Sequence, residues 1–417
     1  MEIYLPQKVK FIIDKMYERG YEAFIVGGCV RDSILGITPN DYDITTNARP
    51  EEIIDIFKGF KIIDNGIKHG TVGIIIEKEV YEITTYRIED EYENNRRPKN
   101  VEFTLDIEDD LKRRDFTINA IAYNDKLGII DKFDGIKDIK NKIVKTVGNP
   151  DERFNEDGLR LVRAIRFSSK LNFKIEDKTL KSIYKNVDII KNISKERITD
   201  EFTKMILSDK PQDIILLYKT GIFKSIGIFS YINKEKYEDL EQELRVLNNC
   251  ESNLVKRMAM LEYIIKKKKI PSRSIVDNLV YSNKIKKECK ILVECMLKDN
   301  IELNSIEIKM LLNKVGPEKI IEALNLKKIY YNNYSSRIEK KNDIVDKIFI
   351  INNIIKKILE IESNKECYRL KDLDINGSDL EELGYKGKDI GEILNELLNK
   401  VIASPSLNKK EILINLL

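Results

Sequence analysis

Phe24-Ile25-Val26-Gly27-Gly28-Cys29-Val30-Arg31-Asp32-Ser33-Ile34-Leu35-Gly36, followed by Asn40-Asp41-Tyr42-Asp43-Ile44, is the stretch that decides how this chain is built. Val26 closes an apolar run of strand type. Gly27-Gly28 admits backbone angles that a Cβ forbids and lets the main chain approach a ligand closely. Cys29 to Leu35 has helical character, so unpaired backbone N–H groups are expected where an anion such as a triphosphate would sit. Asp41 and Asp43 are then expected at i and i+2 of a strand, on one face. Two carboxylates brought together repel unless a cation lies between them. Mg²⁺, which takes carboxylate and phosphate oxygens, answers that need. An isolated Asp-x-Asp is common on solvated strand edges; here it is the order and spacing of the pieces that give it meaning.

A third carboxylate supports the reading. His69 to Ile76 and Val80 to Arg87 read as two strands of one hairpin, with Val80, Glu82, Thr84 and Tyr86 on one face of the second. Glu82 among β-branched neighbours is either exposed on an edge or turned toward a charged site. In the second case it acts as a general base on an attacking hydroxyl or completes the metal site.

These residues resemble the head of the class II tRNA nucleotidyltransferases, within the polymerase-β-like nucleotidyltransferase superfamily. Lys112 to Ala120 (Lys-Arg-Arg-Asp-Phe-Thr-Ile-Asn-Ala) is similar to the second motif of that family. Asp134-Gly135-Ile136-Lys137-Asp138-Ile139 is similar to its hinge, and Glu156 to Phe167 to the motif that reads the incoming base. The resemblance is close from about residue 20 to 210 and looser beyond. It implies an α/β nucleotidyltransferase head, a mixed β-sheet with helices, followed by an all-α neck, body and tail. It also implies catalytic and Mg²⁺-holding roles for Asp41 and Asp43, a catalytic role for Glu82, and nucleotide contacts at Gly28 and Arg31.

The chemistry of the later motifs fits. Arg114 offers a planar fork to phosphate oxygens, and Asp115 an acceptor to a ribose hydroxyl. The plainer reading of this cluster is a capped helix with a solvated basic start. Asp157 and Arg160, three apart, are expected as neighbours on one helix face, which Arg163 and Arg166 continue. The plainer meaning of that spacing is a surface ion pair. In the functional reading the side chains are a protein template. Cytosine and adenine each present an amino donor beside a ring-nitrogen acceptor, matching a carboxylate and a guanidinium. Uracil and guanine reverse the pattern, at about 1–3 kcal/mol per mismatched group. One pair can thus accept CTP and ATP, as an enzyme that adds C, C and A requires.

Composition bounds the rest. The 417 residues carry 73 Lys plus Arg against 70 Asp plus Glu, a net charge of +3, so any RNA contact must come from local clustering. Five cysteines lack paired metal spacing, and a single His, His69, argues against a zinc site. No signal sequence and no membrane-length apolar run are read, so no membrane partner is expected and the cytoplasm is the expected compartment. Protein partners are left open. The expected organisation is a catalytic head over residues 1–145, a base-reading neck over 146–210, a body over 211–330 and a tRNA-binding tail over 331–417. Pro271 to Ser274 and Tyr330 to Tyr334 read as connections. Lys266 to Lys269, with Lys284, Lys286, Lys287 and Lys290, is either a solvated face or a phosphate-contacting tract. In the tail, the glycine turns around Gly377 and Gly384 to Gly387 offer backbone donors to phosphate; their plainer reading is helix junctions.

A CCA-adding enzyme using CTP, ATP and tRNA is therefore the leading expectation. An A-adding enzyme and a bacterial poly(A) polymerase are the alternatives. Gly66 to Thr71 has the nucleotidyltransferase form rather than the basic poly(A) polymerase form. The segment Tyr86 to Pro98 is full length, against CC-only addition. A non-catalytic RNA-binding protein on a dead head is disfavoured by Asp41, Asp43 and Glu82 together, and a small-molecule nucleotidyltransferase by the long helical half.

Overall fold

The computed structural model describes residues 2–93, 95, 97–228, 234–298, 304–333 and 341–417. The chain divides into two compact units, residues 1–230 and 231–417.

In chain order the first unit carries α1 (Gln7–Glu18), β1 (Ala23–Val26), α2 (Gly28–Ile34), β2 (Ile44–Thr46), α3 (Pro50–Ile56), β3 (Lys61–Ile63), β4 (Thr71–Ile76), β5 (Glu79–Thr85), β6 (Arg87–Glu93) and β7 (Arg97–Phe103). It continues with α4 (Ile107–Lys112), β8 (Ile121–Asn124), β9 (Gly128–Asp131), α5 (Gly135–Lys140), β10 (Ile143–Val144), α6 (Pro150–Glu156), α7 (Leu159–Leu171), β11 (Lys174–Ile175), α8 (Asp177–Asn186) and α9 (Lys195–Ile206). Seven strands form a mixed sheet in the order β3-β4-β5-β2-β1-β8-β9. All four residues of β1, Ala-Phe-Ile-Val, are buried, as a strand covered on both faces requires. α1 buries Val9, Ile12, Ile13 and Met16, one stripe at helical spacing.

The pair β2–β5 is parallel, with Ile44 opposite Ile83 and Thr45 opposite Thr84, whereas β4–β5 and β1–β2 are antiparallel. Asp43 and Glu82 each lie one residue before the Ile44–Ile83 pair, so the register brings them side by side on one face. β2 itself starts at Ile44, later than the sequence reading expects. The ladder nevertheless reaches Asp43, whose C=O accepts the Val26 N–H at 3.0 Å. The hairpin read over His69 to Arg87 is present as β4 and β5, but β5 ends at Thr85, and Tyr86 turns into the core while Val80 and Glu82 are exposed.

In the second unit, helices span Leu254–Lys267, Asn283–Leu297, Ser305–Val315, Pro317–Asn333, Lys341–Ser363 and Lys388–Ala403. Pro271 to Ser274 is a connection as read. Tyr330 to Asn333 is not, because these residues end the helix Pro317–Asn333, with Tyr330 and Tyr331 buried on it. Tyr334 lies outside the described residues, as do Asn94 and Arg96. The expected boundary at 330/331 thus falls inside a helix. The last part of the chain has its own apolar cluster, including Leu373, Ile375, Leu380, Leu397 and Val401, against which Ile306 also packs. Among the described residues no helix is long and apolar enough to cross a membrane.

Candidate active site

Asp41 and Asp43 lead into β2 and Glu82 sits on β5, neighbouring strands in the middle of the sheet, and all three have exposed surface. No ion pair reaches any of the three among the described residues. Surrounding atoms desolvate the Asp43 carboxyl and raise it above its ordinary value; the Arg114 cation opposes this, and the charges of Asp41 and Glu82 add to it. Asp43 therefore feels all three groups, and the carboxylates the sequence singled out converge.

Behind them, α4 supplies the wholly buried Asp110. Its Oδ2 accepts from Arg114 Nη2 at 3.0 Å and from the Thr45 hydroxyl at 3.3 Å, and its Oδ1 accepts from Arg113 Nη2 at 2.7 Å. Burial alone would raise the Asp110 carboxyl, but the two guanidiniums outweigh it and leave it lowered. Asp110 thus ties Arg114 to the strand that carries Asp43. Arg114 Nε is buried without a hydrogen-bond partner. Gly27, at φ +82°, lies against this guanidinium: a Cβ there would come within 3.2 Å of Arg114 Nη1. The glycine is favoured by its backbone angle, and a Cβ would in addition press the Arg114 guanidinium.

Gly28 opens α2, where the sequence placed an anion site. Arg31, on the same helix, faces inward at 3% exposure. It donates to Asp32 Oδ1 and, from Nη1 at 2.5 Å, to Asn119 Oδ1, and its guanidinium lies 5.1 Å from the Phe167 ring centroid. Asn119 in turn donates to Asp115 Oδ1 at 3.0 Å, an atom that also accepts the Phe116 N–H. Asp115 Oδ2 accepts Nε of Arg163 at 2.8 Å, and Arg163 Nη2 lies 2.7 Å from the same oxygen as an ion-pair contact. Burial alone would raise the Asp115 carboxyl; Arg163, Asn119 and Arg160 outweigh it and hold it at about 2. Three hydrogen bonds occupy its roughly four lone-pair sites, two on Oδ1 and one on Oδ2. Arg163 also reaches Glu201 on α9, and Arg166 Nε donates to the same carboxylate. A continuous polar network therefore runs from α2 through the second motif to α7 and α9.

Asp157 and Arg160 depart from the expected shared helix face. α6 ends before Asp157, which is extended at φ −138° and ψ 104°, and α7 begins at Leu159. Gly158 forms the break; a Cβ there would lie 2.7 Å from Ile189 Cγ2, too close for any other residue without a shift. Spacing alone could not reveal this break, because a glycine inside a helical pattern is tolerated. Arg160 pairs with Glu156 at 2.6 Å and donates to the C=O groups of Arg153 and Arg113, the last at 2.8 Å. Asp157 pairs instead with Arg197 of α9, Nη1 to Oδ1 at 3.0 Å and Nη2 to Oδ2 at 2.8 Å. Arg160, Arg163 and Arg166 do share α7. The sequence reading missed Asp110, Asn119, Arg197 and Glu201. Glu201 had one signal, a carboxylate amid the apolar stripe of α9, where it is only 2% exposed.

The Lys266 to Lys269 tract is in part internal. Lys268 bonds Asp239 and Glu243, and Lys267 Nζ lies 4.5 Å from the Tyr330 ring centroid. His69 accepts, through its backbone C=O, a bond from Arg87 in a short turn before β4.

Among the described residues no group of three or more His, Cys, Asp or Glu is placed to hold a metal unaided. This suits Mg²⁺, which is held by one or two carboxylates with substrate phosphates completing its shell. Asp41 and Asp43, mutually repelling and without a cation of their own, fit that role.

Known proteins show the same arrangement of segments. The family described as "Poly A polymerase head domain" matches residues 23–145, "Probable RNA and SrmB- binding site of polymerase A" matches 172–228, and "tRNA nucleotidyltransferase domain 2" matches 254–417. The CCA-adding enzyme of Ligilactobacillus salivarius is 39% identical over 406 residues, covering 97% of this chain and 94% of the relative. That of Enterococcus faecalis is 35% identical, covering 97% and 93%. The crystal structure of the Bacillus stearothermophilus CCA-adding enzyme in complex with CTP superposes with a TM-score of 0.73 at 29% identity, covering 97% of this chain and 94% of that one. With the carboxylate edge, the arginine network and this near full-length likeness together, the chain belongs to the CCA-adding enzymes of the nucleotidyltransferase superfamily.

Proposed function

We propose that this chain adds and repairs the 3′-terminal CCA of tRNA from CTP and ATP, in a Mg²⁺-dependent transfer that uses no nucleic-acid template. The observation that carries the catalytic part is the parallel β2–β5 register, which sets Glu82 beside Asp43, with Asp41 and Arg114 close enough to act on the same carboxyl. Asp41 and Asp43 hold the metal. When bound, the ion aligns the 3′-hydroxyl with the α-phosphate and neutralises charge on the triphosphate. Glu82 takes the hydroxyl proton or completes the metal's surroundings. Arg114, whose side chain is partly exposed, donates from its guanidinium to phosphate, and the α2 N-terminus at Gly28 adds backbone donors. Arg31, already bound to Asn119 and Asp32, supports the network rather than reaching out.

Asp157 accepts from the base amino group and Arg160 donates to the ring nitrogen. Arg160 still has N–H groups beyond its three bonded ones for this purpose. Asp115 orients Arg163 and Asn119 and accepts from a ribose hydroxyl at Oδ2, which takes one hydrogen bond to the two on Oδ1. The glycine turns and lysines of residues 373–391 contact tRNA phosphate. Residues 1–145 act as head, 146–210 as neck, 211–330 as body and 331–417 as tail, with head and neck forming one compact unit. Five free, buried cysteines suit the reducing cytoplasm proposed as the compartment.

The test is incubation with tRNA ending before CCA, giving each nucleoside triphosphate alone and in pairs, with the products sequenced. CTP and ATP together should yield CCA and stop. A-only products, or a long A tract, would replace this reading with A-addition or polyadenylation.

A further inference from the structure

The sheet face that carries Glu82 continues past it. Ile63 on β3 lies opposite Gly73 on β4, Gly73 lies opposite Glu82 on β5, and the β2–β5 register sets Glu82 beside Asp43. Two residues along, Lys61, Ile75 and Val80 form the next row on the same face. Gly73 leaves a gap there: a Cβ would lie 3.1 Å from Ile63 Cβ and 3.6 Å from Val80 Cγ1. Two aliphatic side chains thus wall a gap directly beside the glutamate. The opposite face of these strands is closed, with Val72, Ile74, Tyr81 and Ile83 buried, whereas Val80 is 53% exposed and Ile63 and Ile75 are only partly buried. Single exposed aliphatics are ordinary; these line one shelf next to a reacting group.

The strand order runs β3-β4-β5-β2-β1. Arg114 lies against Gly27, just after β1. The carboxylates on β2 and β5 therefore have the phosphate-binding guanidinium on one flank and the apolar shelf on the other. In transfer at the α-phosphorus the attacking and leaving oxygens lie in line, on opposite sides of it. With pyrophosphate leaving on the Arg114 flank, the attacking 3′-hydroxyl comes from the shelf side.

We propose that the shelf of Ile63, Gly73 and Val80 is the subsite for the base of the acceptor's 3′-terminal nucleoside, held by apolar contact and not read. The inference rests on the nucleotidyl transfer proposed for Asp43, Glu82 and Arg114. During CCA addition that base is first the one preceding CCA and then C, so the subsite must take unlike bases. Hydrogen-bonding groups would discriminate among base edges, and the side chains of Ile63, Gly73 and Val80 carry none. Every base has a flat face, so contact with that face tolerates any sequence. Lys61, exposed at the outer rim, adds a cation for RNA phosphate, which positions without reading.

The experiment uses the full chain and tRNA lacking CCA in two forms, intact and with the terminal base removed from its ribose. It compares the parent with Val80→Ser and Val80→Thr, reading kcat/KM for tRNA and KM for CTP. Val80 is exposed and Val80→Thr keeps its shape and branching, so at least that variant is expected to fold. Val80→Ser should lower kcat/KM for intact tRNA about fivefold and Val80→Thr by less, with KM for CTP unchanged. The fall should be alike for tRNAs ending in A, C, G or U. Removing the base should cost the parent at least as much, and on base-free tRNA the Val80 variants should lose nothing further. An equal fall on intact and base-free tRNA, or no fall in either variant, would overturn the inference. A rise in KM for CTP matching the fall for tRNA would show a structural role only and overturn it as well. Falls that differ among the four terminal bases would overturn the claim that the base is not read. The parent's own products decide the wider reading separately: if it adds A alone, CCA addition fails, and the same comparison run with ATP still tests the shelf.

Discussion

The carboxylate edge of the site, on the middle strands of the sheet, and the arginine cluster on α7 both lie in the first unit and treat charge in opposite ways. At the edge, Asp41, Asp43 and Glu82 converge with Arg114 as the opposing cation, and Asp43 is pushed up as a result. On α7, every arginine has its carboxylate: Arg160 has Glu156, Arg163 has Asp115 and Glu201, and Arg166 has Glu201. An unbalanced cluster is unstable until a ligand arrives, which suits a site where a cation and a charged substrate come and go. A balanced one is rigid beforehand, which suits a surface that must measure the shape of a base. On the proposed function, reaction and selection fall to two electrostatic designs joined through Arg113, whose C=O accepts from Arg160 and whose guanidinium shares Asp110 with Arg114.

The sharpest way to break this contrast is at the edge. Asp41→Ala or Asp43→Ala should lower addition of both C and A by about 10³-fold or more, since the metal supplies several kcal/mol to the transition state. tRNA affinity should stay nearly intact. Glu82→Gln should also be severely impaired, though by less. Near-normal turnover of Asp41→Ala or Asp43→Ala with Mg²⁺ present would take the edge out of the mechanism.

The sequence disclosed the edge more fully than the cluster, for a physical reason. Strand side chains alternate, so the face of Glu82 on β5 follows from spacing, whereas Asp41 and Asp43 lie just before β2 and only the Val26–Asp43 bond extends the ladder to them. Only the parallel register, a long-range fact, put Glu82 beside Asp43. The α7 cluster depends on partners 35 to 48 residues away, Glu201 for Arg166 and Asp115 for Arg163. It depends also on a helix break at Gly158. Local periodicity shows neither, so Asp157 and Arg160 read as one face when in fact α9 holds Asp157. The Lys266 to Lys269 tract read as surface charge for a similar reason: the acidic partners of Lys268 come from a helix some 25 to 29 residues earlier.

At the cluster the expected effects are smaller and qualitative in kind. Asp157→Ala or Arg160→Ala should lose discrimination against UTP and GTP, each by about tenfold or more, and slow both correct additions. The two should differ in one respect. Arg160 bonds the Arg113 carbonyl at 2.8 Å, so its loss also loosens the segment that carries Arg114, and triphosphate KM should rise more than in Asp157→Ala. Equal KM in the two variants would detach Arg160 from phosphate binding.

The balanced design also has a signature in acid. Asp115 is held at about 2, below its ordinary 3.8, chiefly by Arg163 against the cost of burial. A carboxyl lowered on folding contributes stability that is present in full above its unfolded value and is lost as pH falls through the folded one. Asp115 should therefore contribute about 2 kcal/mol above pH 4 and lose it between pH 4 and 2. Denaturant midpoints measured across that range should fall less steeply for Asp115→Asn than for the parent. Parallel curves would mean that Arg163 does not hold the carboxylate.

The smallest expected effect lies in the second unit and asks whether loosely held charge can serve binding without serving chemistry. Lys386 and Lys388 flank the turn that opens the helix Lys388–Ala403, and no ion pair engages either among the described residues. Deleting residues 331–417 is a poor test, because the cut falls inside the helix Pro317–Asn333 and removes the apolar cluster against which Ile306 packs. Lys386→Glu with Lys388→Glu leaves both intact. Contacts to phosphate add affinity without reading sequence, and each one lost flattens the salt dependence by about one unit of slope. The double variant should bind different tRNAs several-fold more weakly, by similar factors, with a shallower dependence on salt. Its ratio of CTP to UTP use should not move, because the base selection proposed here lies in the α7 cluster of the first unit. Equal affinity of parent and variant across a salt series would leave the turn a helix junction and assign tRNA binding to other residues of the chain.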